Sequence, residues 1–311
     1  MYGFYSSENQ ETMTLAFLIS AHTDPIHLAR LLKSLPEDAA FFIHIDSKTD
    51  ITPFLSLRKD PRVHLLSRRI NVMWGSIRQV EYQMELLREA LSSGTFHRLI
   101  AISGLDYPLW SNARIIEFFS RLGDKEILQG IRMTHQGAAA VNYRRYRWLN
   151  GHPWKAGSFP NKLRVALQRL TYGIGIRKPL SFRLQGIEYQ LYKGASWWAI
   201  SPELAAYVLH EWDTNKALVK YFSTAFCPDE TFIQTIAFNS PFASRCMLQE
   251  GRYTSLSALT PLTYIDYHPV IKVLTEEDWP ALKQSGKMFC RKTVTGISDR
   301  LLDRIDRERN I

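Results

Sequence analysis

The N-terminal third of the chain alternates short apolar runs with segments of helical period, and this alternation restricts the fold more than any other feature. Residues 14–20, 40–45, 62–66 and 97–103 read as strands, the first two apolar enough to be buried. Between them, residues 27–35 place Leu28, Leu31, Leu32 and Leu35 on one helical face. Residues 76–91 do the same with Val80, Met84, Leu87 and Leu91, and end at Gly94. Ser76 reads as the N-cap of that helix, and Asn112 as the cap of a further helix over 112–122. Such an order predicts an α/β fold with a mostly parallel central sheet flanked by helices. Beyond the acid-free middle, a strand-like run ends at Ile200. It is followed by helices over 202–212, from near Pro228, and over Asp299–Arg309.

In sheets of this kind ligands lie beyond the carboxyl ends of the strands. His22, Asp46, Trp74 and Asp106 all fall just past predicted strand ends and are the first candidates for a site. Asp106 could equally cap the loop before Pro108, and Trp74-Gly75-Ser76 the helix that follows. No glycine-rich loop of the dinucleotide or P-loop type is present, which excludes those modes of nucleotide binding.

The net charge of +9 is unevenly placed. Between Ile127 and Ile187 there is no Asp or Glu, against eleven bases: Arg132, Arg144, Arg145, Arg147, Lys155, Lys162, Arg164, Arg169, Arg177, Lys178 and Arg183. Such a field attracts phosphorylated substrates, anionic headgroups or nucleic acid, or simply keeps a face solvated. Within it, residues 161–172 set Leu163, Leu167 and Leu170 against Lys162, Arg164 and Arg169. This pattern suits a surface helix or one lying on a membrane. No nucleic-acid recognition module is legible, so nucleic acid is not an expected partner.

Cys227, Cys246 and Cys290 are odd in number and scattered, and imply neither a disulfide framework nor a zinc site. No N-glycosylation sequon, secretory signal or run of spanning length is legible. The expected setting is therefore cytoplasmic and not secreted, in a bacterial cell, with peripheral contact at the inner face of the membrane. Residues 1–12 read as a flexible leader.

Seven segments, in order, resemble the core-2/I-branching enzymes, glycosyltransferase family 14, a family that includes peptide O-xylosyltransferases. They are Leu18-Ile19-Ser20-Ala21-His22 with Asp24-Pro25, Phe42-Ile43-His44-Ile45-Asp46, Asn71-Val72-Met73-Trp74-Gly75, Ser103-Gly104-Leu105-Asp106-Tyr107-Pro108, Gly194-Ala195-Ser196-Trp197-Trp198-Ala199-Ile200-Ser201, Pro228-Asp229-Glu230 and Phe289-Cys290-Arg291-Lys292. The resemblance implies a GT-A-like fold and inversion at the transferred sugar. It also implies a UDP-sugar donor used without a divalent metal, and no other cofactor. Residues 13–311 then form one catalytic domain: a nucleotide-binding half (14–125), a basic variable segment (126–187), a catalytic and acceptor half (188–298) and a C-terminal helix (299–311).

The resemblance places the general base on Glu230 and diphosphate binding on Lys292 with Arg291 beside it. Asp46 goes to the nucleoside, and His22, Trp74 and Asp106 to the donor side. Trp197, Trp198 and Asp229 are expected on the acceptor or sugar side. Thr293 stands where the family pattern has an aromatic residue, and Lys272 is the candidate for a second upstream base.

The chemistry agrees with the residues. Inverting transfer needs one carboxylate to deprotonate an acceptor hydroxyl and positive charge to stabilise the departing diphosphate. The chain has no Asp-x-Asp to bind a metal there, and Arg291-Lys292 can supply the charge instead. The sugar, GlcNAc or xylose, is not fixed by these motifs, although Pro228-Asp229-Glu230-Thr231-Phe232 leans towards xylose. The expected acceptor is a saccharide, including a lipid-linked or phosphorylated one. The competing reading is a non-catalytic protein that uses 127–187 to hold nucleic acid or a membrane surface.

Overall fold

The computed structural model describes residues 14–310 apart from Pro153, Ala156, Gln185, His268 and Pro269. The expected leader lies outside the described residues.

In chain order the first elements are β1 (Leu15–Ala21), α1 (Pro25–Ser34), β2 (Ala40–Ile45), β3 (Val63–Leu65), α2 (Arg78–Ser93) and β4 (Arg98–Ser103). Next come β5 (Asp106–Pro108), α3 (Asn112–Ser120), β6 (Gln129–Arg132), α4 (Phe159–Gly173), the hairpin β7 (Ser181–Leu184) and β8 (Ile187–Gln190), β9 (Tyr192–Lys193) and β10 (Trp198–Ile200). The remainder comprises α5 (Pro202–Thr214), α6 (Lys216–Ser223), α7 (Phe232–Phe238), β11 (Met247–Gln249), β12 (Thr263–Ile265), α8 (Trp279–Ser285), β13 (Phe289–Arg291) and α9 (Asp299–Arg309).

The central sheet has the order β10-β4-β1-β2-β3, with β1 to β4 parallel and β10 antiparallel at the edge. This is the mostly parallel sheet that the alternation predicts. Side chains alternate across a strand, so β1 feeds two cores. Leu15, Phe17 and Ile19 join Phe41, Ile43, Ile100 and Ile102 beneath α1, α3 and α9. Ala16 and Leu18 join Phe42, Leu99 and Ala101 beneath α2 and α5. Burial on both faces is the reason these strands read as uninterrupted apolar runs.

Two smaller sheets tie distant parts of the chain to this frame. In one, β13 lies between β12 and β5 and sets Arg291 opposite Asp106. In the other, β6 lies between β11 and β9 and sets Ile131 opposite Lys193.

Helix starts differ from the sequence expectation. Ser76 belongs to the turn before α2, its hydroxyl donating to the Met73 carbonyl, and Ile77 takes the cap position without a side-chain bond. Ser111, rather than Asn112, caps α3 by accepting from the Arg114 N–H. The helix expected from near Pro228 is a 3₁₀ turn, Pro228–Glu230, followed by α7. Trp198, the first residue of β10, is buried, and Trp197 just before it is part-buried. Cys227 and Cys290 are buried and Cys246 part-buried, and all three are free thiols.

The link between β9 and β10 depends on a glycine. A Cβ on Gly194 would stand 2.2 Å from the Gln129 carbonyl oxygen and 2.9 Å from the Gln234 side chain. The carbonyl belongs to paired backbone and cannot step aside, so β6 and this link approach closely only because Gly194 lacks a side chain. Gly194→Ala is expected to cost about 1–3 kcal/mol through overpacking, read as a lower thermal midpoint. Gly151→Ala, where nothing lies within 4 Å, should leave the midpoint nearly unchanged.

Candidate active site

The carboxyl ends of β1, β2 and β4 open into a cavity of about 720 Å³. Its wall includes His22 after β1, Asp46 after β2, Ser103 at the end of β4, Trp74 from the turn before α2, Gln79 from the first turn of α2, and Lys193, Trp197, Asp229, Glu230 and Arg291 from the second half of the chain. Sequence reasoning proposed most of these from strand ends and motifs. It missed Lys193.

Glu230 is placed by a strained turn. Cys227 sits in the left-handed region (φ 43°, ψ 64°), which is costly for a residue with a Cβ. Pro228 follows, and the Glu230 N–H bonds to the Cys227 carbonyl at 3.1 Å. The Glu230 carbonyl accepts from Gly194 N–H at 2.8 Å, which fastens this turn to the β9–β10 link. The Lys193 ammonium meets Glu230 Oε2 at 2.5 Å. Lys193 is almost wholly buried, and its ammonium also donates to the Gly194 carbonyl at 3.2 Å. Burial works to discharge this lysine. The Glu230 carboxylate and the Tyr143 and Tyr253 hydroxyls outweigh burial, so its pKa lies above the ordinary lysine value.

Asp229 has a different environment although it is the adjacent residue. It is buried, and its Oδ2 accepts from Ser196 Oγ at 2.8 Å and from Gln79 Nε2 at 3.1 Å. Oδ1 has no hydrogen-bond partner. Burial, and then the neighbouring Glu230 charge, push the Asp229 carboxyl up to about 7. Two consecutive carboxyls of the cavity wall thus differ in kind: one is part-buried and ion-paired, the other is buried and readily protonated.

A second constellation centres on Asp106. Its carboxylate is fully buried and does not reach the cavity wall. Arg291 Nη1 donates to Oδ1 at 2.9 Å, while Trp197 Nε1 (2.9 Å) and the Ser103 N–H (2.8 Å) donate to Oδ2. Burial raises its pKa, against the pull of Arg291 and the two N–H donors. The Arg291 guanidinium also lies 5.3 Å from the Trp197 ring centroid, and its buried Nε has no partner. Asp106 is therefore a positioning residue that aims Arg291 and Trp197, rather than a residue of the wall.

His22 is exposed on the rim; its pKa is lowered by partial burial and then by Arg291, with Asp46 opposing. Asp46 holds Lys48 at 2.8 Å and accepts from its N–H at 3.0 Å. Beneath them, His44 Nε2 accepts from the Ile70 N–H at 2.8 Å, and burial lowers its pKa to about 4, so His44 is neutral. Trp74 is 76% exposed at the mouth, edge-on to Phe226. Lys292 follows Arg291 but is not part of the wall, although its charge is felt at His22. Lys272 is exposed and paired with Asp278 at 2.6 Å. Among the described residues no group of three His, Cys, Asp or Glu side chains could hold a metal ion.

Comparison with known proteins agrees with the motif reading. The chain is 26% identical over 241 residues to xylosyltransferase sqv-6 of Caenorhabditis briggsae, spanning 73% of this chain and 26% of that protein. It is 22% identical over 236 residues to the human beta-1,3-galactosyl-O-glycosyl-glycoprotein beta-1,6-N-acetylglucosaminyltransferase, spanning 74% of this chain and 50% of that protein. It therefore covers half or less of these relatives. Staphylococcus aureus TarS (residues 1–349, in complex with UDP-GlcNAc) superposes with a TM-score of 0.34 at 12% identity, over 88% of this chain and 65% of that one. Residues 15–283 match the family described as core-2/I-branching enzyme, and the chain belongs to that family.

Proposed function

We propose that the cavity is the active site of an inverting glycosyltransferase on a GT-A-like scaffold, moving GlcNAc or xylose from a UDP-sugar to an acceptor hydroxyl. The observation that carries this reading is that the part-buried Glu230 carboxylate, fixed by buried Lys193, opens on the same cavity as the Arg291 guanidinium.

In this reading a Glu230 oxygen takes the acceptor proton as the hydroxyl attacks the anomeric carbon. The bond from that carbon to the diphosphate breaks, and its electron pair leaves on the UDP oxygen. Arg291, with Lys48 and Lys292 nearby, balances the developing charge in place of a metal ion. The Arg291 guanidinium in the cavity wall suits an anion, and Asp106 keeps it from rotating away. Lys193 holds Glu230 in one rotamer. The aromatic wall of Trp74, Trp197 and Phe226 suits a sugar face or a uracil.

Glu230→Gln is expected to lower UDP release from the turned-over UDP-sugar by about 10²–10⁴-fold, with UDP binding retained. Arg291→Met should weaken UDP binding itself. EDTA should leave turnover unchanged, and its abolition by EDTA would exclude metal-free diphosphate binding.

Lys193→Met leaves Glu230 without its partner and is expected to destabilise the fold by about 3–5 kcal/mol. The double variant Lys193→Met/Glu230→Leu should recover most of that loss in thermal denaturation.

Asp229 gives a pH signature. Its pKa is about 7 when folded against 3.8 for an ordinary aspartate, so between these values the folded state binds more protons than the unfolded one. The stability it contributes is complete below the lower value and is lost as pH rises through about 7. Asp229→Asn should remove this slope, and its midpoint relative to wild type should be higher at pH 8 than at pH 5.

A further inference from the structure

Helix α4 is built inside out. Its inward side is polar: Gln168 is buried and donates to the Trp148 carbonyl at 3.0 Å, and Arg164 donates to Asn150 Oδ1 at 3.0 Å and Asn161 Oδ1 at 2.6 Å. Its outward side is apolar. Phe159 is 78% exposed, Leu163 59%, Leu167 47%, Leu170 62% and Ile174, the capping residue, 67%. At about 100° per residue these five fall in one continuous stripe opposite Gln168. An ordinary surface helix turns its stripe to the core. Here the residues that would drive burial face away from the body, and contiguous exposed apolar surface of this kind marks a contact surface.

Charge identifies the occupant. Lys162 and Arg169 border the stripe on the helix, Lys155 precedes it and Arg177 follows it, all exposed. No acid occurs anywhere in the segment to pair with them. A second copy docked on this face would bring two acid-free surfaces together in a chain of net charge +9. An anionic bilayer accepts both features, the stripe at the acyl boundary and the cations among the headgroups. Among the described residues no helix is long and apolar enough to cross a membrane, so the contact is one of lying on the surface.

We propose that the Phe159–Ile174 face seats the protein in the interface of an anionic lipid bilayer. The seat is joined to the cavity. Arg164 holds Asn150, Asn150 Nδ2 donates to the Gly75 carbonyl at 2.5 Å, Gly75 N–H donates to Gln79 Oε1, and Gln79 donates to Asp229. The proposal does not depend on the reaction assigned to that cavity.

The test is flotation of the full chain with vesicles of phosphatidylglycerol and phosphatidylcholine, set against phosphatidylcholine alone. The chain should float with the anionic vesicles at low salt and be released by high salt. Lys162→Gln and Arg169→Gln should each lower the partition coefficient about fivefold. Leu163→Glu/Leu170→Glu should lower it at least about tenfold. Both leucines are exposed, so this variant should keep the wild-type thermal midpoint, confirming that it is folded. Failure of the wild type to float at low salt would overturn the proposal, as would equal flotation of the leucine variant or equal binding to neutral vesicles. A dimer dissociated by the leucine variant, without flotation, would assign the face to a second copy instead.

Discussion

A buried carboxylate is tolerated only when its oxygens are filled with donors, and Asp106 uses that requirement to assemble the molecule. Its three donors come from Ser103 at the end of β4, Trp197 at the approach to β10 and Arg291 at the end of β13. The central sheet, the edge strand that reverses direction and the C-terminal sheet thus meet at one group. Removing any donor would leave part of the charge uncompensated, so the positions of Arg291 and Trp197 in the cavity follow from the folding of the core beneath them.

The pair formed by Asp229 and Glu230 shows how environment divides labour between like groups. Both carboxyls belong to one 3₁₀ turn. One is part-buried and receives a buried ammonium, while the other is buried and receives two neutral donors. With Asp229 pushed up to about 7 by burial and then by the Glu230 charge, the turn carries less than two full negative charges near neutral pH.

The frame was legible in the sequence because its signals are local. β1, β2 and β4 read as apolar runs, and α1 and α2 carry their cores at helical spacing, since each strand or helix had to satisfy the sheet whatever lay elsewhere. Glu230 and Arg291 were reached only through their motifs, in short elements with no period of their own. Lys193 is one of 39 basic residues and stands in a two-residue strand. The available signal was a lysine between Leu191-Tyr192 and the Gly194-Ala195 step, where a charge needs a buried partner. Asp106 was marked by its place after a strand, but a strand end does not reveal whether the side chain faces the cavity or the core, and here it is buried. The stripe of α4 was visible as a period, but periodicity does not say which side meets the protein. Gln168 and Arg164 decide that through bonds to Trp148 and Asn150.

The hydrogen-bond chain from α4 to Asp229 has a direction, and two backbone groups fix it. The Gly75 carbonyl can only receive, so Asn150 must offer it the NH₂ end of its amide and turn its oxygen towards Arg164. The Gly75 N–H can only give, so Gln79 must offer its oxygen there and present its NH₂ to Asp229 Oδ2. Neither amide can flip without setting two like groups face to face. Oδ2 is thereby an obligate acceptor, and a proton bound by Asp229 resides on Oδ1, the oxygen with no partner. The orientation of two amides, one of them in the cavity wall, thus determines which of two chemically identical Asp229 oxygens accepts the hydrogen bonds and which is left without a partner.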